Sequence, residues 1–228
     1  MPALITLSHG SRHPGAAAGI EELTRATGLR PARAAHLEFN EPDLTTAALE
    51  LARLGETDAV VVPLLFTQGY HQRVDVPRAL ADASHTSHLS LHLAAGLGTG
   101  EDLARVVASR IQPGDAHVVI YSVGSSDAAA NAAIRGLAQR TFALTGVPAT
   151  AEFATRGGRE GIVSLGCEYT NPARVRVVPL FVTEGLLLDR LEGVPATVDR
   201  PLGTDLATLV ADRFYHARCT AQEVYAPC

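Results

Sequence analysis

The segment Ser8–His13, with the sequence SHGSRH, contains the first residue with catalytic potential, His9. It directly follows a short apolar run, residues 3–7, which is typical of a buried strand. A turn with glycine then leads into an alanine-rich stretch, residues 16–26, which predicts a helix. His9 is therefore expected at the carboxyl end of the first strand, the edge where open α/β sheets bind ligands. From this segment alone, His9 is either a functional group or a turn residue.

Two further candidates follow the next predicted strands. Glu38 lies near the end of the predicted second strand, residues 33–39. His71 lies in the loop TQGYH after the apolar run 59–66, AVVVPLLF, which is typical of a central parallel strand covered on both faces. Pro63 predicts that regular pairing ends inside this run, because proline has no backbone N–H to donate. All three candidates therefore follow strands of the same predicted sheet.

The elements that must position these residues alternate between strands and helices. After the first strand and helix, the pattern predicts a helix ending at residue 54, a helix ending at residue 83, a strand over 89–94 and a helix over 101–111. The order βαβαβαβα predicts a parallel sheet with right-handed crossover connections.

The same pattern starts again after a linker at residues 112–115. The second half contains predicted strands over 117–123, 149–153 and 175–182 and a predicted helix over 128–144. PLLFTQG at 63–69 matches PLFVTEG at 179–185, and LGT at 97–99 matches LGT at 202–204. A repeat of about 110 residues indicates an internal duplication.

The two halves differ at the candidate residues. Val123 aligns with His9 and Leu187 with His71, so the second half has lost both histidines while it keeps the surrounding glycines. A glutamate, Glu152, aligns with Glu38 on sequence letters, which weakens a purely catalytic interpretation of that carboxylate. We infer one working half and one half that is retained for its scaffold.

Composition excludes several protein classes. The chain has 228 residues, a net charge of −5 and 46% apolar residues, and all of its 19 basic residues are arginine. The negative charge argues against nucleic-acid binding, and no apolar run is long enough for a membrane span. We expect no secretory signal, a cytoplasmic location, and three reduced cysteines, Cys167, Cys219 and Cys228, rather than a disulfide framework.

Three segments together resemble the CbiX/SirB family of sirohydrochlorin chelatases: SHGSR at 8–12, LEFNEP at 37–42 and PLLFTQGYHQRVDVP at 63–77. The resemblance covers nearly the whole chain, because long members of this family are also tandem duplications. It implies an α/β fold of two similar domains, each a small parallel sheet flanked by helices, with the active cleft between them. The expected domains are an active half, residues 1–112, and a degenerate half, residues 116–228.

The resemblance also implies the roles of individual residues. His9 and His71 would be the metal-site histidines, and with Glu38 they would form the catalytic set. Imidazole suits iron and cobalt and accepts protons near neutral pH. Residues close to the two key loops are expected to bind the carboxylate-rich substrate: Ser11, Arg12, Gly69, Tyr70 and Arg73.

The expected reaction is insertion of Fe²⁺ (for siroheme) or Co²⁺ (for cobalamin) into sirohydrochlorin, with the metal as a substrate. The glycines at positions 10, 98 and 203 could suggest phosphate-binding loops, but the chain has no lysine and no complete phosphate-binding motif, so we expect that no nucleotide is used. We also expect no iron–sulfur cluster. The alternatives are a non-catalytic metal or tetrapyrrole carrier and a chelatase for another metal such as nickel. The oligomer is expected to be a monomer or a homodimer. Another histidine group, His85, His88 and His92, is interpreted as loop and core positions.

Overall fold

The computed structural model describes residues 1–67 and 75–224, and strands and α-helices alternate along the chain except between its last two strands, which no α-helix separates. The first half contains β1 (Ala3–Ser8), α1 (Ala16–Ala26), β2 (Ala32–His36), α2 (Leu44–Arg53), β3 (Asp58–Pro63), α3 (Val76–Ser87), β4 (Ser90–Leu93) and α4 (Glu101–Ala108). The second half contains β5 (His117–Ser122), α5 (Ala128–Thr145), β6 (Ala149–Phe153), α6 (Gly158–Glu168), β7 (Val175–Pro179), β8 (Thr197–Val198) and α7 (Ala207–Val224).

The strands form two four-stranded parallel sheets with the same topology. The first has the order β2-β1-β3-β4 and the second the order β6-β5-β7-β8. Each half therefore begins with a central strand, and its second and third strands pair on either side of it. The predicted fold class, two similar α/β halves with parallel sheets flanked by helices, is confirmed.

The central position of β1 follows from its composition. All six of its residues are buried, because apolar side chains on both faces pack beneath helices. On one face, Ile5 and Leu7 join a core cluster with Leu44 and Leu51 of α2. The neighbouring strand β3 ends at Pro63, which pairs with Leu7, so the proline stops the ladder as predicted.

Short polar side chains set the starts of two helices. The side chain of Asp43 accepts a hydrogen bond from Thr46 N at 2.7 Å and caps α2. Asp127 caps α5 in the same way, accepting from Ala129 N at 2.8 Å. Each cap satisfies a backbone donor that the first helical turn leaves without a partner. The chain is thereby redirected into a helix shortly after β2 and β5.

The structure divides into two compact units whose boundaries cross the duplication. The first unit contains residues 1–98 and the chain from residue 203, and the second contains residues 99–202. Helix α4 packs against α5 in the second unit, and α7 packs against β3 and β4 in the first. Arg213 of α7 donates to the carbonyl oxygens of Gly96 and Leu97 at 2.9 and 2.8 Å. The predicted repeat boundaries, 1–112 and 116–228, stay a prediction about the duplicated sequence.

None of the helices in the described ranges combines the length and the apolar character that crossing a bilayer requires.

A buried ion-pair network closes the sheet of the second unit. Arg176 on β7 lies 2.6 Å from Asp115 Oδ2, just before β5, and 2.6 Å from Asp199 Oδ1, just after β8. The exposed fractions of the three side chains are 13%, 6% and 13%. One guanidinium thus neutralises two largely buried carboxylates on either side of β7.

We expect Arg176→Ala to lower the free energy of unfolding by about 3–5 kcal/mol, because both carboxylates would lose their buried counter-charge. Urea unfolding followed by circular dichroism measures this loss. Arg105→Ala is the control: its i,i+4 pair with Glu101 is 70% and 61% exposed, so no measurable change is expected. Equal stability of the two variants would show that the network does not hold the sheet together.

Candidate functional site

The loop that carries His9 is joined by backbone hydrogen bonds to the loop that carries Glu38. Leu37 N donates to Ser8 O and Glu38 N donates to His9 O, both at 3.0 Å. These bonds extend the parallel pairing of β1 and β2, whose last matched residues are Ser8 and His36. His9 and Glu38 therefore leave adjacent strands at the same edge of the sheet, as predicted.

Gly10 allows this close approach of the two loops. Its φ is +93°, in the left-handed region that residues with a Cβ rarely adopt. A Cβ on Gly10 would also overlap the carbonyl oxygen of Glu38. Glycine is thus required here by both the backbone angle and the space, and it fixes the distance between the His9 and Glu38 loops.

Asn40 is a second link between the loops, and the sequence analysis did not identify it. Its side-chain Oδ1 accepts from Ser11 N at 2.7 Å, and its own N–H donates to Glu38 O at 2.8 Å. The Ser11 hydroxyl accepts from His13 N at 3.1 Å. Ser11, predicted to bind substrate, therefore has a structural function in the turn that follows His9.

Phe39 stands between two of the predicted site residues. Its ring meets the His9 imidazole edge-on, with centroids 6.0 Å apart and planes at 89°. The Arg12 guanidinium lies over the same ring, 4.9 Å from its centroid, in a cation–π contact. Phe39 is 52% exposed and has a φ of +64°. An aromatic ring thus holds His9 and Arg12 on one small surface.

A buried serine–histidine pair lies directly behind His9. Ser8 Oγ and His36 Nδ1 are 2.7 Å apart, and only 2% of His36 is exposed. Burial lowers the pKa of the His36 imidazole below its ordinary 6.5, outweighing the opposite effects of Glu21 and Glu41. Within residues 1–67 and 75–224, His36 Nε2 has no hydrogen-bond partner, so a second proton there would be buried without an acceptor. His36 is therefore held neutral.

The remaining predicted site residues lie outside the described residues: Gly69, Tyr70, His71 and Arg73. Among the described residues, Leu64 lies just beyond β3, and its N–H donates to Leu7 O at 2.8 Å. In the part of the chain that is described, no group of three histidine, cysteine or acidic residues is close enough to hold a metal ion. Glu38 and Arg12 are exposed. Two of the three predicted catalytic residues thus meet at one edge.

The second unit repeats this backbone arrangement with different side chains. Ala154 N donates to Ser122 O and Thr155 N donates to Val123 O, matching the bonds of Leu37 and Glu38. Val123 therefore takes the place of His9, as predicted, and it is 42% exposed. The counterpart of Glu38 is Thr155.

The alignment of Glu152 with Glu38 is consequently wrong. In the β5–β6 register Glu152 pairs with Tyr121, one residue before the strand end, and Phe153 pairs with Ser122. Phe153 thus occupies the place of His36, which pairs with Ser8 in the first sheet. Burial raises the pKa of the Glu152 carboxyl, with a smaller opposite effect from Arg135. No carboxylate survives in the second unit at the position of Glu38.

Comparison with known proteins gives matches of two kinds, the first from sequence. A model of the CbiX family matches residues 3–113. The sirohydrochlorin cobaltochelatase of Sulfurisphaera tokodaii is 34% identical over 76 residues, which cover 33% of this chain and 61% of that protein. The matched region thus spans less than two thirds of the length of this relative.

The second kind is a likeness of fold over nearly the whole chain. The sirohydrochlorin chelatase SirB from Bacillus subtilis subspecies spizizenii, in complex with cobalt, gives a TM-score of 0.79 at 21% identity, covering 98% of each chain. SirB from Bacillus subtilis with Fe³⁺ gives 0.78 at 19% identity, again covering 98% of each. Both structures share the fold of this chain, including both of its halves.

We expect Gly10→Ala to destabilise the first unit by at least about 3 kcal/mol, because the added methyl group must push the Glu38 carbonyl away in addition to straining φ. Gly55→Ala is the control, since Gly55 has a similar φ of +86° but no atom within 4 Å of an added Cβ. Its cost should stay near about 1 kcal/mol. Urea unfolding of both variants tests this, and equal losses would contradict the close approach of the two loops.

The buried His36 predicts a dependence of stability on pH. Its pKa is lowered on folding, so just below pH 6.5 the unfolded chain binds a proton that the folded chain does not. Its contribution to stability is therefore complete above this pH and is lost progressively as the pH falls from 6.5 to the lower pKa that the imidazole has in the folded chain. The variant His36→Phe introduces the residue found at the matching position of the second unit. Its melting temperature should fall less between pH 7 and 5 than that of the wild type.

His85→Gln, a change at an exposed histidine of α3, is the control and should keep the wild-type slope. Because the wild type and His36→Phe share every titrating group except His36, the difference between their slopes isolates this imidazole. An unchanged slope in His36→Phe would mean that this imidazole titrates alike in the folded and unfolded chains.

Proposed function

We propose that the chain is a sirohydrochlorin chelatase that inserts Fe²⁺ or Co²⁺ into the tetrapyrrole, because its residues 3–113 match the model of the CbiX family. The observation that carries this proposal is the placement of His9 and Glu38 on adjacent, hydrogen-bonded strand ends of the half that matches the family. In the other half the same positions carry Val123 and Thr155, which neither bind metal ions well nor accept protons near neutral pH.

The chemistry of insertion fits these residue types. A divalent metal must leave its outer ligands for four ring nitrogens, while two pyrrole protons are released. In our proposal His9 and His71 hold the ion through neutral imidazole nitrogens, and Glu38 adds a carboxylate that takes up a proton or an open coordination position. Two or three protein ligands leave positions free for the incoming ring nitrogens, whereas a closed four-ligand site would retain the metal.

The substrate side of the site is proposed to be positively charged only locally. Sirohydrochlorin carries carboxylates, whereas the whole chain has a net charge of −5. Arg12 is exposed beside His9, and we propose that it pairs with a substrate carboxylate, together with Arg73 of the second loop. Gly69 and Tyr70 complete the proposed substrate loop, and Ser11 contributes by holding the turn.

Both metals remain in the proposal for a chemical reason. Imidazole and carboxylate ligands suit iron and cobalt alike. The relative from Sulfurisphaera tokodaii is named a cobaltochelatase, and the two SirB structures hold Fe³⁺ and cobalt. The product would accordingly serve siroheme or cobalamin synthesis. We further propose that the reaction needs no nucleotide and takes place in the cytoplasm, by a monomer or a homodimer.

The test is metal insertion into sirohydrochlorin under anaerobic conditions, followed by the change in absorbance with Fe²⁺, Co²⁺ and Ni²⁺ in parallel. We expect His9→Ala and His71→Ala each to lower turnover at least about 100-fold, as for loss of an acid–base group or ligand. The double variant should be little worse, because the two groups act on one ion. Val123→Ala, at the matching position of the second unit, is the control and should keep near-normal turnover.

The asymmetry between the halves gives a further arm of this experiment. Restoring histidine in the second half, Val123→His with Leu187→His, should not rescue the His9→Ala variant, because Thr155 supplies no carboxylate there. A wild-type rate no better than the protein-free control, despite tight binding of metal or tetrapyrrole, would identify a carrier rather than an enzyme. A preference for Ni²⁺ would redirect the proposal to a nickel chelatase.

A further inference from the structure

The conformation of Phe39 is costly in two ways. Its φ of +64° lies in the left-handed region, which is a rare and strained choice for a bulky residue. Its ring is also 52% exposed, so the residue gains only about half of the stabilisation that full burial of an aromatic side chain provides. Strained and exposed positions of this kind concentrate at ligand-binding sites.

The strain is imposed by the neighbouring residues. Asn40 N donates to Glu38 O at 2.8 Å, which closes a γ-turn with Phe39 at its centre, and a γ-turn with positive central φ is rare. Both flanking residues are fixed in turn: Glu38 N is bonded to His9 O, and Asn40 Oδ1 accepts from Ser11 N. Phe39 cannot relax unless these bonds to the His9 loop break.

The turn aims the ring at the groups that our proposed function uses. The ring stands edge-on to the His9 imidazole, with centroids 6.0 Å apart, and Arg12 lies over it at 4.9 Å. A flat apolar surface is thereby placed next to a proposed metal ligand and an exposed guanidinium. The ligand that matches all three features is a flat conjugated ring system that bears carboxylates and surrounds a metal position.

We propose that Phe39 is a substrate-contacting residue whose ring packs against the tetrapyrrole and sets its position relative to His9, while Arg12 pairs with a peripheral carboxylate. This inference rests on the proposed function and names a residue that the motif comparison did not assign. Stacking on an aromatic ring is a general way to hold a flat heterocycle, because its contribution depends on area rather than on hydrogen bonds.

The second unit supports the assignment. After Thr155, the counterpart of Glu38, the next residue is Arg156. Its backbone N–H donates to Phe153 O at 2.9 Å, and its φ is not positive. Among the non-glycine residues of the described ranges, only Phe39 and His88 have positive φ. The strained aromatic residue thus occurs in the half that has His9, and its counterpart position has neither the ring nor the strain.

The test separates the ring from the backbone by substituting glycine. Glycine adopts positive φ without strain, so Phe39→Gly should melt at the wild-type temperature or above it. The same variant should bind metal-free sirohydrochlorin about 10-fold more weakly, the size expected for a lost stacking contact. Phe39→Trp restores a flat ring and should bind within about twofold of the wild type. Equilibrium titration by absorbance in the absence of metal gives these affinities.

Phe142→Ala is the matched control, because Phe142 of α5 is 51% exposed and belongs to the second unit. It should leave the affinity unchanged. In addition, the KM for sirohydrochlorin should rise in Phe39→Gly while the KM for the metal stays constant, which a general loss of structure would not produce.

Each outcome has a definite meaning. Wild-type affinity in Phe39→Gly overturns the inference and leaves the proposed function standing. The inference is also overturned if Phe39→Gly melts at a lower temperature and Phe39→Trp does not recover the wild-type affinity for sirohydrochlorin, because the residue would then be structural. A wild-type protein that binds sirohydrochlorin but does not insert metal overturns the proposed function. The affinities of the Phe39 variants then still decide whether Phe39 contacts the tetrapyrrole. Failure of the wild type to bind sirohydrochlorin overturns both.

Discussion

The site depends on the close contact between two backbones beyond the ends of β1 and β2. The bond from Glu38 N to His9 O forms only because Gly10 has no side chain to collide with the Glu38 carbonyl. The main chain alone fixes the two loops here, and the Phe39 ring contacts both the His9 imidazole and the Arg12 guanidinium. The side chain of Asn40 then fixes the turn from the other end.

The elements with a strong hydrophobic pattern could be predicted from the sequence, and so could their order. The run before His9 is a fully buried strand, and Pro63 ends β3 where the missing donor predicts. Helix α6 has no counterpart among the predicted elements, since it contains three glycines and its apolar pattern is weak. The exchange of α4 and α7 between the units depends on which surfaces pack together, and a linear pattern does not contain that information.

The site itself shows a sharper division. His9 and Glu38 could be found because short motifs place them after predicted strands, but His36, Phe39 and Asn40 could not. His36 acts through a hydrogen bond to a buried partner, Phe39 through its backbone angle, and Asn40 through a side-chain hydrogen bond to another loop. None of these features produces a recognisable residue spacing in the sequence. The error at Glu152 has the same origin. Matching letters aligned Glu-Phe with Glu-Phe, whereas hydrogen-bond register alone shows that Phe153 corresponds to His36.

The two units separate what the scaffold needs from what the chemistry needs. Both keep a glycine with positive φ after the first strand, Gly10 and Gly124, and both keep the two backbone bonds that follow it. The fold therefore does not require a histidine or a carboxylate at these positions, since Val123 and Thr155 form the same backbone hydrogen bond. The side chains next to that backbone do change: the partly buried imidazole of His9 is replaced by valine, and the buried imidazole of His36 is replaced by phenylalanine. Because the shared bonds involve only the main chain, the sheet of either half forms without a histidine or a carboxylate at these positions, and folding alone does not account for the difference between the halves.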